Sequence, residues 1–412
     1  MTKFEAARLA PPPALAGDPV EAPAAPSSAA RVVTGLRMRA LRLRIWSCLW
    51  REALRRYGRP RRAIEALRAL ARLRRATAGG QAPRKYAVMA GRTFFSLHAP
   101  GFPSRAFERY AALELNRVLP FRPGSGLQTA ILAITNRCEL ACAHCSEWDT
   151  LRRKDPLALE DLRQIVAALR ESGAPQIQVS GGEPLLRLPA VEVICADVGD
   201  DCDVWVLTSG SPLDAEAARR LRVAGATGVM VSLDHHDAAA HDAFRGSPGA
   251  FERAVAGVRH AAREGLAVAL SLTTTRGFVS ETNLERYAVL ARQLGVGFIQ
   301  VLEPRAAGRW AGADVSLTAS QVSLLEAFDR SMNVERLDMP LVDYPGLGQR
   351  RDGCWGAGNR YLFIDAAGGV HACPFCRGAV GNVRTEPLDA LRARLQAAGC
   401  HAYQSPGLAL GR

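Results

Sequence analysis

The sequence predicts an α/β fold: a partial (β/α)6 barrel, with a helical region before it and a small cysteine-bearing module after it. Three observations carry this. Between Gly126 and about residue 335, six β-rich runs alternate with six amphipathic helical runs, the rhythm of a parallel sheet. The segments that follow those strands collect polar, charged, glycine and cysteine residues, while the strands themselves are apolar. The positive charge of the chain lies in one stretch ahead of that rhythm. Six units, rather than eight, favour a partial TIM-like barrel over a closed barrel or a Rossmann sheet.

The chain has 412 residues, 48% of them hydrophobic and 23% charged, enough for two to three domains with a large buried core. No run approaches the ~20 apolar residues that span a bilayer, and the N-terminus lacks the pattern of a secretory signal. A cytoplasmic location is therefore expected. There the ten cysteines stay reduced, and clustered thiols point to metal or redox chemistry.

Residues 1–30, rich in Ala and Pro, read as a disordered tail. Residues 31–120 form a basic helical region. Its first part, residues 31–75, holds fifteen arginines, no lysine and only Glu52 and Glu65 as acids, which equals the net +13 of the whole chain. Leu, Ala and Arg alternate there at spacings that suit two amphipathic helices broken near Gly58-Arg59-Pro60. Three readings of them stand: helices packed on the protein with a solvated basic face, a membrane-surface pair anchored by Trp46 and Trp50, or a site for an anionic partner. Nucleic acid ranks last, because no recognised motif and no interleaved aromatics accompany the arginines. Residues 84–120 read as a strand pair followed by a helix.

The barrel text covers residues 126–335. LQTAILAIT (127–135) leads to the helix of 157–173, and QIQVS leads to a helix near 187–199. DVWVLTS, GVMVSLD, AVALSLTTT and GFIQVLEP each precede a helical run. The last of these opens with Thr318 and Gln321 at capping-box spacing, and several helices close on Gly. In such barrels the active site lies at the C-terminal ends of the strands. After the first strand comes NRCELACAHC, with Cys138, Cys142 and Cys145 spaced C-x3-C-x2-C, and after the second comes GGEP, Gly181 to Pro184. The later loops are TSG, SLDHHD, TTTRG and EPRAAGR. Three thiolates fall short of the four ligands of structural zinc but suit a cubane cluster with one iron left open. Taken alone, the cysteine run also admits zinc. In GGEP, two glycines allow close backbone approach, and Glu183 can accept from an ammonium group.

C-x3-C-x2-C after the first strand, with GGEP after the second, resembles the radical S-adenosylmethionine (radical SAM) superfamily over residues 127–310. The resemblance implies a [4Fe–4S] cluster on Cys138, Cys142 and Cys145, with SAM chelating the open iron. It places Gly181, Gly182 and Glu183 near the methionyl ammonium, adds Pro184 of the same loop to the cofactor-binding residues, and sets His144 against adenine. Ser209 stands where many members carry Asn, Ser232 and Asp234 match a ribose-side S-L-D pattern, and Arg305 or Arg309 pairs with the SAM carboxylate. The implied chemistry is reductive cleavage of SAM to a 5′-deoxyadenosyl radical that takes hydrogen from a substrate. Its electron comes from a low-potential donor such as flavodoxin or ferredoxin.

Residues 340–405 carry a second set of cysteines: Cys354, Cys373, Cys376 and Cys400. YLFIDAAGGVHAC reads as a hairpin turning at Ala-Gly-Gly that brings Cys354 and Cys373 together. This resembles the SPASM/twitch extension of radical SAM enzymes. Four cysteines imply one auxiliary [4Fe–4S] cluster, with Cys400 as the fourth ligand; a zinc knuckle is the rival, since CPFC suits zinc. Cys48, Cys195 and Cys202 read as packing residues. The expectation is a radical SAM enzyme of unidentified substrate. The alternatives are a maturase acting on a peptide or protein side chain, for which no winged-helix recognition domain is apparent, and a non-catalytic iron–sulfur carrier.

Overall fold

The computed structural model describes residues 30–77, 83–120 and 126–400. The Ala/Pro-rich segment up to residue 29 and the end of the C-terminal module, residues 401–405, lie outside them.

The N-terminal region consists of β1 (Arg31–Val33), α1 (Gly35–Tyr57), α2 (Pro60–Thr77), β2 (Tyr86–Met89), β3 (Arg92–Phe94) and α3 (Arg105–Val118). The helix break falls where the sequence puts it: Gly58 caps α1 at φ 66°, and Pro60 starts α2. Both helices are amphipathic and bury one stripe. Ile45, Cys48 and Leu49 of α1 and Ala63, Ala66 and Leu70 of α2 pack on Phe107, Ala111 and Leu115 of α3. The antiparallel strands β1, β2 and β3 form a small sheet. The sequence reading missed β1, three residues long, because its partner β2 is far away in the chain.

The barrel strands are β4 (Thr129–Ala133), β5 (Gln176–Ser180), β6 (Asp203–Thr208), β7 (Gly228–Ser232), β8 (Ala267–Thr273) and β9 (Phe298–Leu302), all parallel and adjacent in chain order. The intervening helices are α4 (Leu159–Glu171), α5 (Leu188–Val198), α6 (Ala215–Ala224), α7 (Ala238–Arg245), α8 (Ala250–Arg263) and α9 (Glu281–Gln293). After β9 come α10 (Ala319–Arg330), β10 (Leu341–Asp343), α11 (Pro345–Asp352), β11 (Tyr361–Ile364), β12 (Val370–His371) and α12 (Leu388–Ala398). The six predicted strand–helix units are present, with α7 as an additional helix and the Thr318–Gln321 capping box formed. The sheet is wider than predicted. β10 adds parallel to β9, and the β11–β12 hairpin adds to β4, so the C-terminal segment shares the barrel's sheet.

Strand alternation sorts the side chains. Ile177, Val179, Val204, Val229 and Leu270 face the helices in the main core. The opposite face is graded from bottom to top. At the bottom Trp205, Met230, Ala267 and Phe298 meet Met89, Phe94 and Leu97 of the β2–β3 region, which closes that end; Phe94 stands edge-on to Trp205 at 5.9 Å. Gln176 belongs to this bottom layer, donating to Leu97 O at 2.9 Å, while Gln178 and Gln300 line the cavity that leads to the loops.

One buried cation fixes the N-terminal region to the sheet edge. Lys85 Nζ donates to the carbonyl oxygens of Arg336 (3.1 Å), Met339 (2.6 Å) and Pro340 (3.0 Å) just ahead of β10. Burial pushes its pKa down to about 8, against a partial lift from Asp338. Replacing Lys85→Met orphans three carbonyls and lowers stability to denaturant by about 1–3 kcal/mol. In the parent chain the unfolded lysine still binds a proton between pH 8 and 10.5 where the folded one has released it. Stability therefore rises with pH across that window, and the rise is absent in the variant.

Candidate functional site

The C-terminal ends of the strands bring the sequence-predicted loops together. Residues 134–137 leave β4 and run beside Gly181–Glu183. Gly182 N donates to Thr135 O and Glu183 N to Arg137 O, both at 2.7 Å. A Cβ on Gly181, whose φ is 138°, would lie 2.5 Å from Thr135 O, and one on Gly182 would collide with Arg137 O. The glycines are needed because backbone lies on backbone here. This clamp sets the start of the cysteine loop, one residue before Cys138.

Three further contacts hold that loop. Arg309, in the loop after β9, donates through Nη1 to Ala141 O at 2.6 Å, lies over Trp148 at 4.3 Å, and donates from its backbone nitrogen to Cys145 O at 3.0 Å. From α7, Arg245 donates to Cys142 Sγ at 3.5 Å and pairs with Asp234 at 2.5 Å. Both are buried. Burial lifts the Asp234 carboxyl, but Arg245, the nearby His144 and His241 and the Thr273 N–H together outweigh it, and the net pKa is lowered. Glu147, two residues past Cys145, pairs with Arg377 at 2.8 Å. Burial raises the thiol pKa values of Cys138 to about 12 and of Cys145 to about 11. As neutral thiols they are poor ligands, so a bound cation is needed to hold them ionised.

The predicted SAM-side residues divide into two groups. Glu183 is buried and committed: Oε1 accepts from Thr208 Oγ1 (2.7 Å) and Leu185 N (3.1 Å), and Oε2 from Ser209 N (2.8 Å) and Ser209 Oγ (2.6 Å). Asp234 is held by Arg245 and by Thr273 N at 2.9 Å, and Arg309 by the cysteine loop. Gly181, Gly182, Pro184, Ser209 and Ser232 lie at the strand ends around them. The half-buried His144 ring stacks on Phe244 at 4.8 Å, with Trp310 at 6.0 Å; burial lowers its pKa to about 4, and Nδ1 has no partner. Arg305 lies apart from these, close enough to Cys376 to act on its charge.

In the second cysteine set, the β11–β12 hairpin turns at Gly368 (φ 87°) and pairs Phe363 with His371. The Cys354, Cys373, Cys376 and Cys400 thiols all lie close enough to Tyr361 to raise its pKa, after burial. Cys400 hydrogen-bonds with both Cys354 and Cys376. Among the described residues, no three His, Cys, Asp or Glu side chains are gathered to hold a single metal ion. The four thiols grouped beside Tyr361 are a donor set that a [4Fe–4S] cluster takes. Cys48, Cys195 and Cys202 are buried away from both sets in apolar packing.

Sequence reading missed Arg245, Glu147 and Arg377. No motif marks them; a charged residue beside a cysteine (Arg377 follows Cys376) was the available signal. The clamp yields a prediction. Gly182→Ala displaces the cysteine loop, costs about 1–3 kcal/mol as overpacking, and lowers anaerobically bound iron while circular dichroism stays native.

The model of the Radical SAM superfamily matches residues 132–290. The chain is 28% identical to an AdoMet-dependent heme synthase of Methanosarcina barkeri, over 62% of this chain and 79% of the relative. It is 30% identical to a GTP 3′,8-cyclase of Acidothermus cellulolyticus, over 67% of this chain and 73% of the relative. In fold it is similar to Streptococcus suis SuiB bound to precursor peptide SuiA, with a TM-score of 0.52 at 13% identity over 73% of this chain and 70% of SuiB. With this likeness over two thirds of its length, joined to the thiol and glycine loops at the strand ends, the chain belongs to the radical SAM superfamily, enzymes that use SAM and a [4Fe–4S] cluster.

Proposed function

We propose that Cys138, Cys142 and Cys145 hold the SAM-binding [4Fe–4S] cluster, and that Cys354, Cys373, Cys376 and Cys400 hold an auxiliary one. When bound, the first cluster and SAM supply a 5′-deoxyadenosyl radical, formed with methionine as one electron from a flavodoxin- or ferredoxin-type donor breaks the carbon–sulfur bond. Gly181, Gly182, Pro184, Ser209 and Ser232 form the rim against SAM, and His144 backs the adenine. Arg305, on the cavity wall near Cys376, would be the partner for the SAM carboxylate. Glu183, Asp234 and Arg309 are positioning residues: their charged groups are engaged inside the protein, so they orient the rim and the cysteine loop.

The observation that carries this reading is the link between the two cysteine sets. The Glu147–Arg377 ion pair joins residues two past Cys145 and one past Cys376. The second set also lines a cavity of about 830 Å³ that includes the lumen residues Gln178, Ser180, Ser271 and Gln300. A substrate in that space touches the auxiliary centre and lies below the SAM rim, where the lumen walls exclude water. The division into a basic helical region (31–120), a radical SAM core (126–335) and an auxiliary module (340–405) follows the same reading. So does a peripheral membrane contact through residues 31–75, which the exposed Leu36, Leu43 and Trp46 of α1 support; no described helix is long and apolar enough to cross a membrane. A peptide substrate is the second reading, favoured by the fold shared with peptide-bound SuiB.

Anaerobic protein incubated with SAM and dithionite is expected to yield 5′-deoxyadenosine. Cys138→Ala/Cys142→Ala/Cys145→Ala abolishes the yield, by at least about a hundredfold, and leaves iron at the second site alone. Unchanged iron in that variant refutes the first assignment. A protein that binds both clusters but never yields 5′-deoxyadenosine is an iron–sulfur carrier.

A further inference from the structure

The cavity does not end in the barrel. Its walls continue past Tyr361 and Trp355 to the groove between α1 and α2, where Ile45, Leu49, Leu70 and Ala71 line it and Trp46 and Arg75 stand at its outer mouth. Most of this wall is apolar, yet its charge is one-sided. Among the described residues, Arg42, Arg74, Arg75, Arg305 and Arg360 line it, with Glu114 and Glu303 as the acids. Glu303 is bound by Arg350 and by Tyr344 Oη at 2.7 Å. Glu114, 2% exposed, is shared: Arg117 pairs with it, and Arg360 lies 3.7 Å away. Arg360, Arg117 and Arg74 together hold its carboxyl below the usual range against the lift of burial. Several cations around one buried carboxylate leave a positive excess in an apolar space, which a ligand's acid group would balance.

The outer face of α1 complements that mouth. Leu36 and Leu43, 79% and 71% exposed, lie on one side of the helix, two turns apart, with Trp46 beside them at 37%. Arg37 and Arg39 flank them, also exposed. Exposed leucines, a half-buried Trp and arginines, with no lysine, are the composition of a helix lying in an anionic lipid interface. Trp46 belongs both to this face and to the mouth of the cavity. Arg75, at the other lip, has no acidic partner among the described residues.

We propose that the substrate is an acid-headed lipid, a long apolar chain ending in a carboxylate or phosphate, which enters from an anionic membrane surface through the α1–α2 groove. Its apolar body lies along the groove, and its acid group meets the arginines. The cavity volume is in the range that encloses a ligand of this size. The proposal deepens the radical SAM reading and rests on it.

The test uses anaerobically reconstituted full-length protein and displacement of a dansyl-labelled fatty acid, a binding readout that needs no turnover. Oleate and lysophosphatidic acid are expected to displace the probe saturably, at least about tenfold more tightly than oleyl alcohol. Ala71→Trp, which fills the groove, and Arg75→Glu, at an exposed side chain, each weaken both acids by about tenfold or more. Circular dichroism and iron content show that the variants are folded. Equal binding of the alcohol, full affinity in a folded Ala71→Trp or in Arg75→Glu, absence of saturable binding, or displacement by a soluble acidic peptide as effective as oleate each overturn the proposal. Formation of 5′-deoxyadenosine by the same parent protein without lipid reports separately on the radical SAM reading, so the two failures are distinguishable.

Discussion

Backbone laid on backbone at the ends of two neighbouring strands is the constraint on which the site depends. Thr135 and Arg137 offer their carbonyls to Gly182 and Glu183, and only residues without a Cβ let the second loop lie that close. The next residue, Cys138, inherits its position from this contact. Glu183 then passes the constraint sideways: its carboxylate gathers Thr208 and Ser209 from the end of β6. A parallel sheet fixes strand ends to one another, and these hydrogen bonds extend that order one layer into the loops.

Charge does the remaining work of positioning. Arg245 joins Asp234 to Cys142 from α7, Arg309 caps carbonyls of the cysteine loop, and Glu147–Arg377 carries the connection to the second cysteine set. The contacts of Arg245 with Cys142, Arg309 with Ala141 and Glu147 with Arg377 each span segments far apart in sequence. The cysteine loop is thus tied to four other parts of the chain, the rigid support that a metal centre with an open coordination position needs. The basic helices serve the same cavity from the opposite direction, packing one face into the protein and leaving leucines, Trp46 and arginines outside.

Much of this was legible in the sequence, for a physical reason. Local rules write the strands, the helix caps and the Gly58–Pro60 break, because each depends on residues within a few positions of one another. The cysteine and GGEP motifs were legible because their spacing is the chemistry. What was hidden depends on contacts across the fold. β1 and β10 are too short to show a period, and β11 read as half of a hairpin, with no sign that its other edge pairs with β4. The grouping of Thr208 and Ser209 on the Glu183 carboxylate was likewise hidden, since only the adjacent strand ends create it. Of the two tryptophans read as membrane anchors, Trp46 faces outward and Trp50 packs into the helical core, since amphipathic spacing on an arginine-rich helix leaves the buried stripe ambiguous.

The central claim is that three thiolates leave one iron free for SAM. Electron paramagnetic resonance of dithionite-reduced protein tests it most directly, using a variant in which Cys354, Cys373, Cys376 and Cys400 are all alanine, so that one cluster remains. The account predicts a [4Fe–4S]⁺ signal whose g-values shift when SAM is added. A signal identical with and without saturating SAM contradicts it.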